Sequence, residues 1–220
     1  QMFAFDVKEW RFWSAGSLDA VDHGLNKIPA MLRRRLSPMG RSAASVMLPL
    51  AESHDTMPII YCSRHGEVTR TLKLLQDLAN SEPLSPTAFS LSVHNANAGL
   101  LSIHQKLTNN ITAISAGADY VIPALLEAQG LIADGNTHVL CVFCDEPLPE
   151  LYQQYNAQPQ HAFALALVLS KGNDISLNLC NASEQTDISG DKQVSELNEL
   201  LNHSCSSLKL SCNDQQWLLE

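Results

Sequence analysis

Ile111-Thr112-Ala113-Ile114-Ser115-Ala116-Gly117-Ala118-Asp119-Tyr120-Val121 begins the stretch on which the fold turns. The first four residues, β-branched or small and apolar, read as a strand, and Ser115-Ala116-Gly117-Ala118 is a turn of small residues. Val121, Ala124, Leu125, Ala128 and Ile132 then stand at i, i+3, i+4, i+7 and i+11, the stripe of a helix with one buried face. A strand passing through a tight turn into a helix is a building unit of α/β proteins. The layout recurs upstream, where Ile59-Ile60-Tyr61-Cys62 precedes Val68, Leu72, Leu75 and Leu78 at helical spacing. Downstream, 139–143, 163–169 and 175–179 read as strands, the last two joined by a hairpin-like turn at Lys171-Gly172-Asn173-Asp174. The class is therefore α/β.

Working outward, Phe3, Phe5 and Val7 alternate as in a half-buried strand, followed by the aromatic cluster Trp10, Phe12 and Trp13. Residues 14–30 and 181–192 read as polar loops, and 81–94, with Pro83 and Pro86, as irregular. Helices are expected around Ala44, Val46, Met47 and Leu50, over 96–105, and around Leu197, Leu200 and Leu201; Leu208, Leu210 and 217–219 mark a last apolar segment. With 220 residues and no internal repeat, 1–220 reads as a single domain.

Composition excludes several classes. A 45% hydrophobic, 17% charged chain is neither collagenous nor disordered. Its formal charge of −9 opposes general nucleic-acid binding. No apolar run is long enough for a membrane span and no leader pattern opens the chain, which points to a cytoplasmic protein. Cys62, Cys141, Cys144, Cys180, Cys205 and Cys212 lie mostly in apolar runs and suit reduced, buried thiols. Cys141 and Cys144 have C-x-x-C spacing, but on a strand they point to opposite faces, so core thiols are expected and no metal or cofactor.

Three local motifs invite chemistry. Arg64-His65-Gly66-Glu67 resembles the strand-end signature of histidine phosphatases, with His65 as phosphate acceptor and Arg64 as clamp, but neither His94 nor His138 stands in the equivalent place of a second histidine; a helix start is the plainer reading. Asp145-Glu146 stands just after a strand, where open α/β sheets place ligands, and a solvated loop is the expected role. The turn at 115–118 has the layout of a nucleophile elbow, yet offers only Ser115, close to the strand, which leaves an acyl hydrolase as a weaker enzymatic reading. Arg33, Arg34, Arg35 and Arg41 gather four of fourteen cations in nine positions, either as a solvated helix start or as a docking patch for an anionic partner.

Ser85-Pro86-Thr87-Ala88-Phe89-Ser90-Leu91-Ser92-Val93-His94-Asn95-Ala96-Asn97-Ala98-Gly99, followed by the elbow, resembles the N-terminal half of the β-ketoacyl synthases. There a Ser-Pro, an Asn and an Ala-Gly stand at the same mutual spacing ahead of a strand and a Thr-Ala-Cys elbow. The register continues without a gap over Ile132-Ala133-Asp134-Gly135 and Val139-Leu140-Cys141-Val142, and 164–169 is similar to a later synthase strand, so that the resemblance covers 58–182. More closely, Ser63-Arg64-His65-Gly66-Glu67, 85–95 and Ile114-Ser115-Ala116-Gly117 resemble the short chain-length factors of aryl polyene pathways.

The resemblance implies a thiolase-like fold reduced to roughly its N-terminal half. It also implies loss of the synthase nucleophile, whose position falls on Ala118 in the ungapped register or on Ile114 if the glycine is the anchor; neither side chain forms a thioester. The His-Gly-Thr-Gly-Thr stretch of the synthases is not in this sequence. The implied role is a non-catalytic subunit that pairs with a full-length β-ketoacyl-ACP synthase as a heterodimer and serves an acyl carrier protein in polyketide- or fatty-acid-like synthesis. Asn110, Ile111, Thr112, Ala113 and Ile114 would then pair with the partner's edge; Thr87, Ala88 and Phe89 would end its acyl tunnel; and Arg33, Arg34, Arg35 and Arg41 would dock the carrier. A purely structural interaction domain is the remaining alternative.

Overall fold

The computed structural model describes residues 2–15, 28–53, 56–117, 119–155, 161–180, 189–212 and 215–220. The expected nucleophile position Ala118, and most of both polar segments, lie outside them. The elements are β1 (Met2–Ser14), α1 (Ala30–Arg35), α2 (Pro38–Ser53), β2 (Ile59–Cys62), α3 (Val68–Ala79), α4 (Pro86–Ser90), α5 (Ala96–Gln105), β3 (Ile111–Ile114), α6 (Val121–Ala133) and β4 (Val139–Asp145). A short 3-10 turn at Glu150–Tyr155 leads to β5 (Phe163–Lys171), β6 (Ile175–Cys180), α7 (Gly190–Leu201), β7 (Leu208–Cys212) and β8 (Gln215–Leu219). All eight strands form one sheet in the order β3-β2-β4-β5-β1-β6-β8-β7. β2 pairs parallel with β3 and β4, and the remaining pairs are antiparallel.

Alternation along the central strands creates two cores. On one face Ile60, Cys62, Cys141, Phe143, Leu165 and Leu167 pack under α6 and α7; on the other Ile59, Tyr61, Leu140, Val142, Cys144 and Ala166 pack under α2 and α5. Cys141 and Cys144 thus face opposite layers, as strand geometry requires, and none of the six cysteines is in a disulfide. Ala43 and Ala44 of α2 are buried in the same core as Ala164 and Ala166 of β5, a small-on-small contact that brings helix and sheet close together. α6 touches β2 and β4 and also β7, from the far end of the sheet. The strands therefore curl around α6 and α7 and bury a helix that is apolar on most of its circumference.

β1 explains its own odd pattern. Val7 pairs with Leu169 and Glu9 with Val168, so Lys8 is an extra, bulged residue. The bulge resets the alternation: Phe3, Phe5, Val7, Trp10 and Phe12 all face the α6 and α7 side, while Trp13 faces the other.

Several expectations need correction. The irregular 81–94 stretch contains the helix α4, opened by Pro86 in its first turn and capped by Ser85, whose hydroxyl accepts from the Ala88 N–H at 3.2 Å. Residues 190–192, expected as loop, form the first turn of α7, and the last apolar segment is the hairpin of β7 and β8. The four arginines flank the start of α2, as expected, but three of them belong to a separate short helix. Arg33, Arg34 and Arg35 end α1, and Arg41 lies within α2.

Candidate functional site

Because β2, β3 and β4 run parallel, their C-terminal ends bring residues 63–67, 115–117, 119–120 and 145–146 to one end of the sheet, the place where α/β sheets hold ligands. Asp145, at the end of β4, is 1% exposed. It accepts from the Ser63 hydroxyl (3.1 Å), the Arg64 N–H (2.7 Å) and the Tyr120 hydroxyl (2.5 Å). It is a buried acceptor joining three loops, not part of a solvated turn. Burial pushes its carboxyl up to about 6, against the lowering effect of those donors, the Tyr120 hydroxyl first.

A pH dependence follows. With a folded value above the ordinary carboxylate value of 3.8, the folded chain holds this proton at pH 4 to 6 where the unfolded chain has lost it. Its contribution to stability is full below about pH 4 and is lost as the pH rises through 6. The stability of the wild type relative to Asp145→Asn should fall by about 2 kcal/mol between pH 4 and 7. Urea unfolding at several pH values measures it, and parallel curves would show that Asp145 titrates as an ordinary carboxyl.

Glu67 is a second buried carboxylate, its side chain 2% exposed. It accepts from the Ser37 hydroxyl (2.6 Å), Asn97 Nδ2 (2.6 Å) and Arg70 Nε (3.0 Å), and so ties the start of α2 to α3 and α5. Gly40 leaves the space that Asn97 fills, since a Cβ there would lie 2.2 Å from Asn97 Oδ1. Gly66, at φ +55°, packs on His94, whose Nε2 is 2.7 Å from the Ser63 carbonyl. The Arg-His-Gly-Glu motif is thus a turn with a buried acidic anchor. His65 is held below its ordinary value, chiefly by burial and then by Arg64. His94, just before α5, is engaged with the main chain, so the phosphatase arrangement of two histidines on one phosphoryl group finds no counterpart among the described residues.

The elbow is formed with Gly117 at φ +64°, the left-handed geometry glycine adopts without strain. Ser115 donates to the Arg64 carbonyl at 2.8 Å, a structural bond that leaves no base in the role an acyl hydrolase needs. The Cys62 thiol donates to the Tyr120 carbonyl at 3.4 Å and is pushed up to about 12, first by burial and then by Asp145. Ile114, the alternative nucleophile position, is half-buried at the end of β3. No three His, Cys, Asp or Glu side chains converge on a metal position among the described residues. None of their helices is long and apolar enough to cross a membrane.

The residues expected to meet partners are on the surface. β3 is the sheet's edge strand. Ile59 N–H donates to Asn110 O and Ser63 N–H to Ile114 O, so residues 110, 112 and 114 face β2 while the polar main-chain groups of Ile111 and Ala113 face outward. Phe89 on α4 is 65% exposed, which excludes it from this chain's own core. Leu75, Leu78, Leu84, Val93 and Ile103 are also exposed, so six of the nine large exposed apolar side chains among the described residues fall within 75–103. Periodicity would bury Leu75 and Leu78; α3 instead buries Leu74. Arg33, Arg34, Arg35 and Arg41 are exposed, but Arg41 Nε donates to the Arg33 carbonyl (3.3 Å), and Arg70 to that of Arg35 (3.1 Å). These two cations therefore cap the last turn of α1.

A thiolase-like sheet with an elbow and a buried polar frame defines the class, and comparison with known proteins agrees. The family described as the β-ketoacyl synthase N-terminal domain matches residues 10–220, and the chain belongs to it. In the structure of the ketosynthase ApeO in complex with its chain length factor ApeC, from Xenorhabdus doucetiae, one chain matches with a TM-score of 0.84 and 29% identity, over 99% of this chain and 99% of that one. The ishigamide ketosynthase/chain length factor (TM-score 0.53, 13% identity) is matched over 74% of this chain and 53% of its own. A β-ketoacyl synthase from Burkholderia phymatum STM815 (0.53, 14%) is matched over 79% and 55%. These two share the fold, and this chain spans about half of each. A comparison with curated proteins finds no match.

Proposed function

We propose that the chain is a chain-length-factor subunit: it pairs with a full-length β-ketoacyl-ACP synthase, performs no condensation itself, and shapes the tunnel in which an acyl-carrier-bound polyene grows. The observation that carries this reading is the two-way coverage of 99%, a same-length match within a ketosynthase and chain length factor complex, where the B. phymatum synthase extends well beyond the matched part. Two surface features support it: the open edge of β3, and the exposed apolar side chains of 75–103. An apolar residue at either nucleophile position supports the non-catalytic part. Residues 1–220 act as one unit in this reading.

Phe89 supplies the functional test. Exchange of an exposed ring for a methyl group should change the stability of the chain by less than about 0.5 kcal/mol. In the complex it would open volume at the end of the synthase pocket, so Phe89→Ala should lengthen the carrier-bound polyene. Mass spectrometry of products from equal amounts of the wild-type and variant complexes reads this, and an identical length distribution would refute the tunnel role. The purified chain alone should form no acyl-enzyme with acyl or malonyl carriers.

Carrier docking falls to Arg33, Arg34 and Arg35, since Arg41 is committed to capping α1. No carboxylate among the described residues pairs with Arg34 or Arg35, which leaves a local cationic patch on a chain of net charge −9. Reversing both to Glu should slow carrier association about tenfold at low salt, and the wild-type on-rate should fall as salt rises. Stopped-flow association measures it; a salt-insensitive, unchanged on-rate would remove docking from the account.

A further inference from the structure

On the other side of the fold, separated from β3 by β2, β4 and β5, a cavity of about 390 Å³ opens between β1, β6 and the end of α7. Val7, Trp10, Ile175, Leu200 and Leu201 form its apolar floor, and Asp174, Glu220, His203, Cys205 and Ser206 its rim. Its size is that of a small-molecule site.

The cavity depends on the β-bulge. Val7 and Trp10 are three residues apart and would face opposite sides of a regular strand; the extra residue at Lys8 turns both to the same side. The two rim carboxylates are held in place. Asp174 Oδ2 accepts from the Val7 N–H at 3.1 Å, and Glu220 Oε1 accepts from Asn178 Nδ2 at 3.4 Å. His203 sits in the left-handed region (φ +56°), its N–H bonded to the Leu200 carbonyl at 3.0 Å. Among the described residues no Lys or Arg lines the cavity. Two cations stand near the lining residues: Lys8 is paired with Asp6 at 2.9 Å and interacts more weakly with Asp174, and the Arg11 guanidinium donates to the Trp10 carbonyl at 2.9 Å.

We propose that this cavity binds a small organic ammonium ion, its aromatic or aliphatic body against Trp10 and the aliphatic floor and its charged nitrogen toward Asp174 and Glu220. The complementarity is chemical: an apolar floor takes the body, an indole favours a cation, and a rim whose described residues include two carboxylates and no ammonium or guanidinium group selects positive charge. The inference is independent of the partner-facing edge and of the function proposed for it.

The test uses three probes of similar shape: 2-phenylethylammonium, 2-phenylethanol and 3-phenylpropanoate. In NMR titrations of the whole chain, the ammonium should shift the Trp10 indole N–H saturably and leave Trp13, on the opposite face, unmoved. The carboxylate should bind at least about tenfold more weakly, and the alcohol between the two. Combined Asp174→Asn and Glu220→Gln should erase the preference for the cation while apolar binding persists. Leu200→Trp, which fills the cavity, should abolish binding in a chain whose other resonances report an intact fold. Equal affinity for ammonium and carboxylate, no saturable shift at Trp10, or ammonium binding that survives Leu200→Trp would each overturn the proposal.

Discussion

Ala113→Pro is expected to prevent assembly with a ketosynthase while the isolated chain still folds. The Ala113 main chain faces away from β2, so proline there removes no hydrogen bond within this sheet. It removes a donor that a partner strand would use and places a ring in the plane of that strand. One lost ladder bond at a desolvated edge, with the steric conflict, should cost about 2 to 3 kcal/mol, a factor of roughly 30 to 150 in Kd. Thr112→Pro serves as the contrast. Thr112 faces β2, so that variant should destabilise the chain itself, and only the pair of results separates an interface from a structural strand. Calorimetric titration of a ketosynthase with each variant, alongside thermal unfolding, provides the comparison; undiminished binding by a folded Ala113→Pro chain would exclude pairing through β3.

Glu67→Ala is expected to produce the largest loss of stability among single substitutions in the polar frame. The carboxylate is buried and accepts from Ser37, Asn97 and Arg70. Truncation leaves Asn97 Nδ2 with only the longer bond to the Ser37 hydroxyl (3.3 Å), and the Arg70 guanidinium with only the Arg35 carbonyl. Removing one partner of a buried charged pair costs about 3 to 5 kcal/mol. Glu67→Gln, which keeps an acceptor oxygen, should cost clearly less. Denaturant unfolding of the two variants reads the difference. Equal, small losses would mean that the network is solvated and that the Arg-His-Gly-Glu turn is not anchored as described.

The fold was legible where burial imposes a simple period. β2, β3, α5 and α6 stand where the apolar spacing of 59–62, 111–114, 96–105 and 121–132 puts them, because each packs apolar side chains on a core, β3 through the half-buried Ile111 and Ile114. Short polar helices such as α1 and α4 carry no such stripe, and the first turn of α7 is polar although Gly190 packs against the Tyr120 ring. The bulge at Lys8 was visible only as a break in alternation between Val7 and Trp10, a signal that several irregularities share.

The site was legible in part. The resemblance drew attention to the elbow, to 85–95 and to the edge strand, but not to the roles of Asp145 and Glu67, whose partners come from positions tens of residues away. A buried carboxylate after a strand and a solvated one have the same local sequence; what separates them is the donors that remote loops deliver. The exposed Leu75 and Leu78 show the converse limit, since a helical stripe looks the same whether the chain's own core or another protein covers it.

Coexpression with each ketosynthase of the source organism, followed by size-exclusion chromatography with light scattering, should yield one stable complex whose mass is that of one ketosynthase plus this 24.1 kDa chain. Elution of the chain at its own mass beside ketosynthase homodimers, with every ketosynthase tried, would contradict the account.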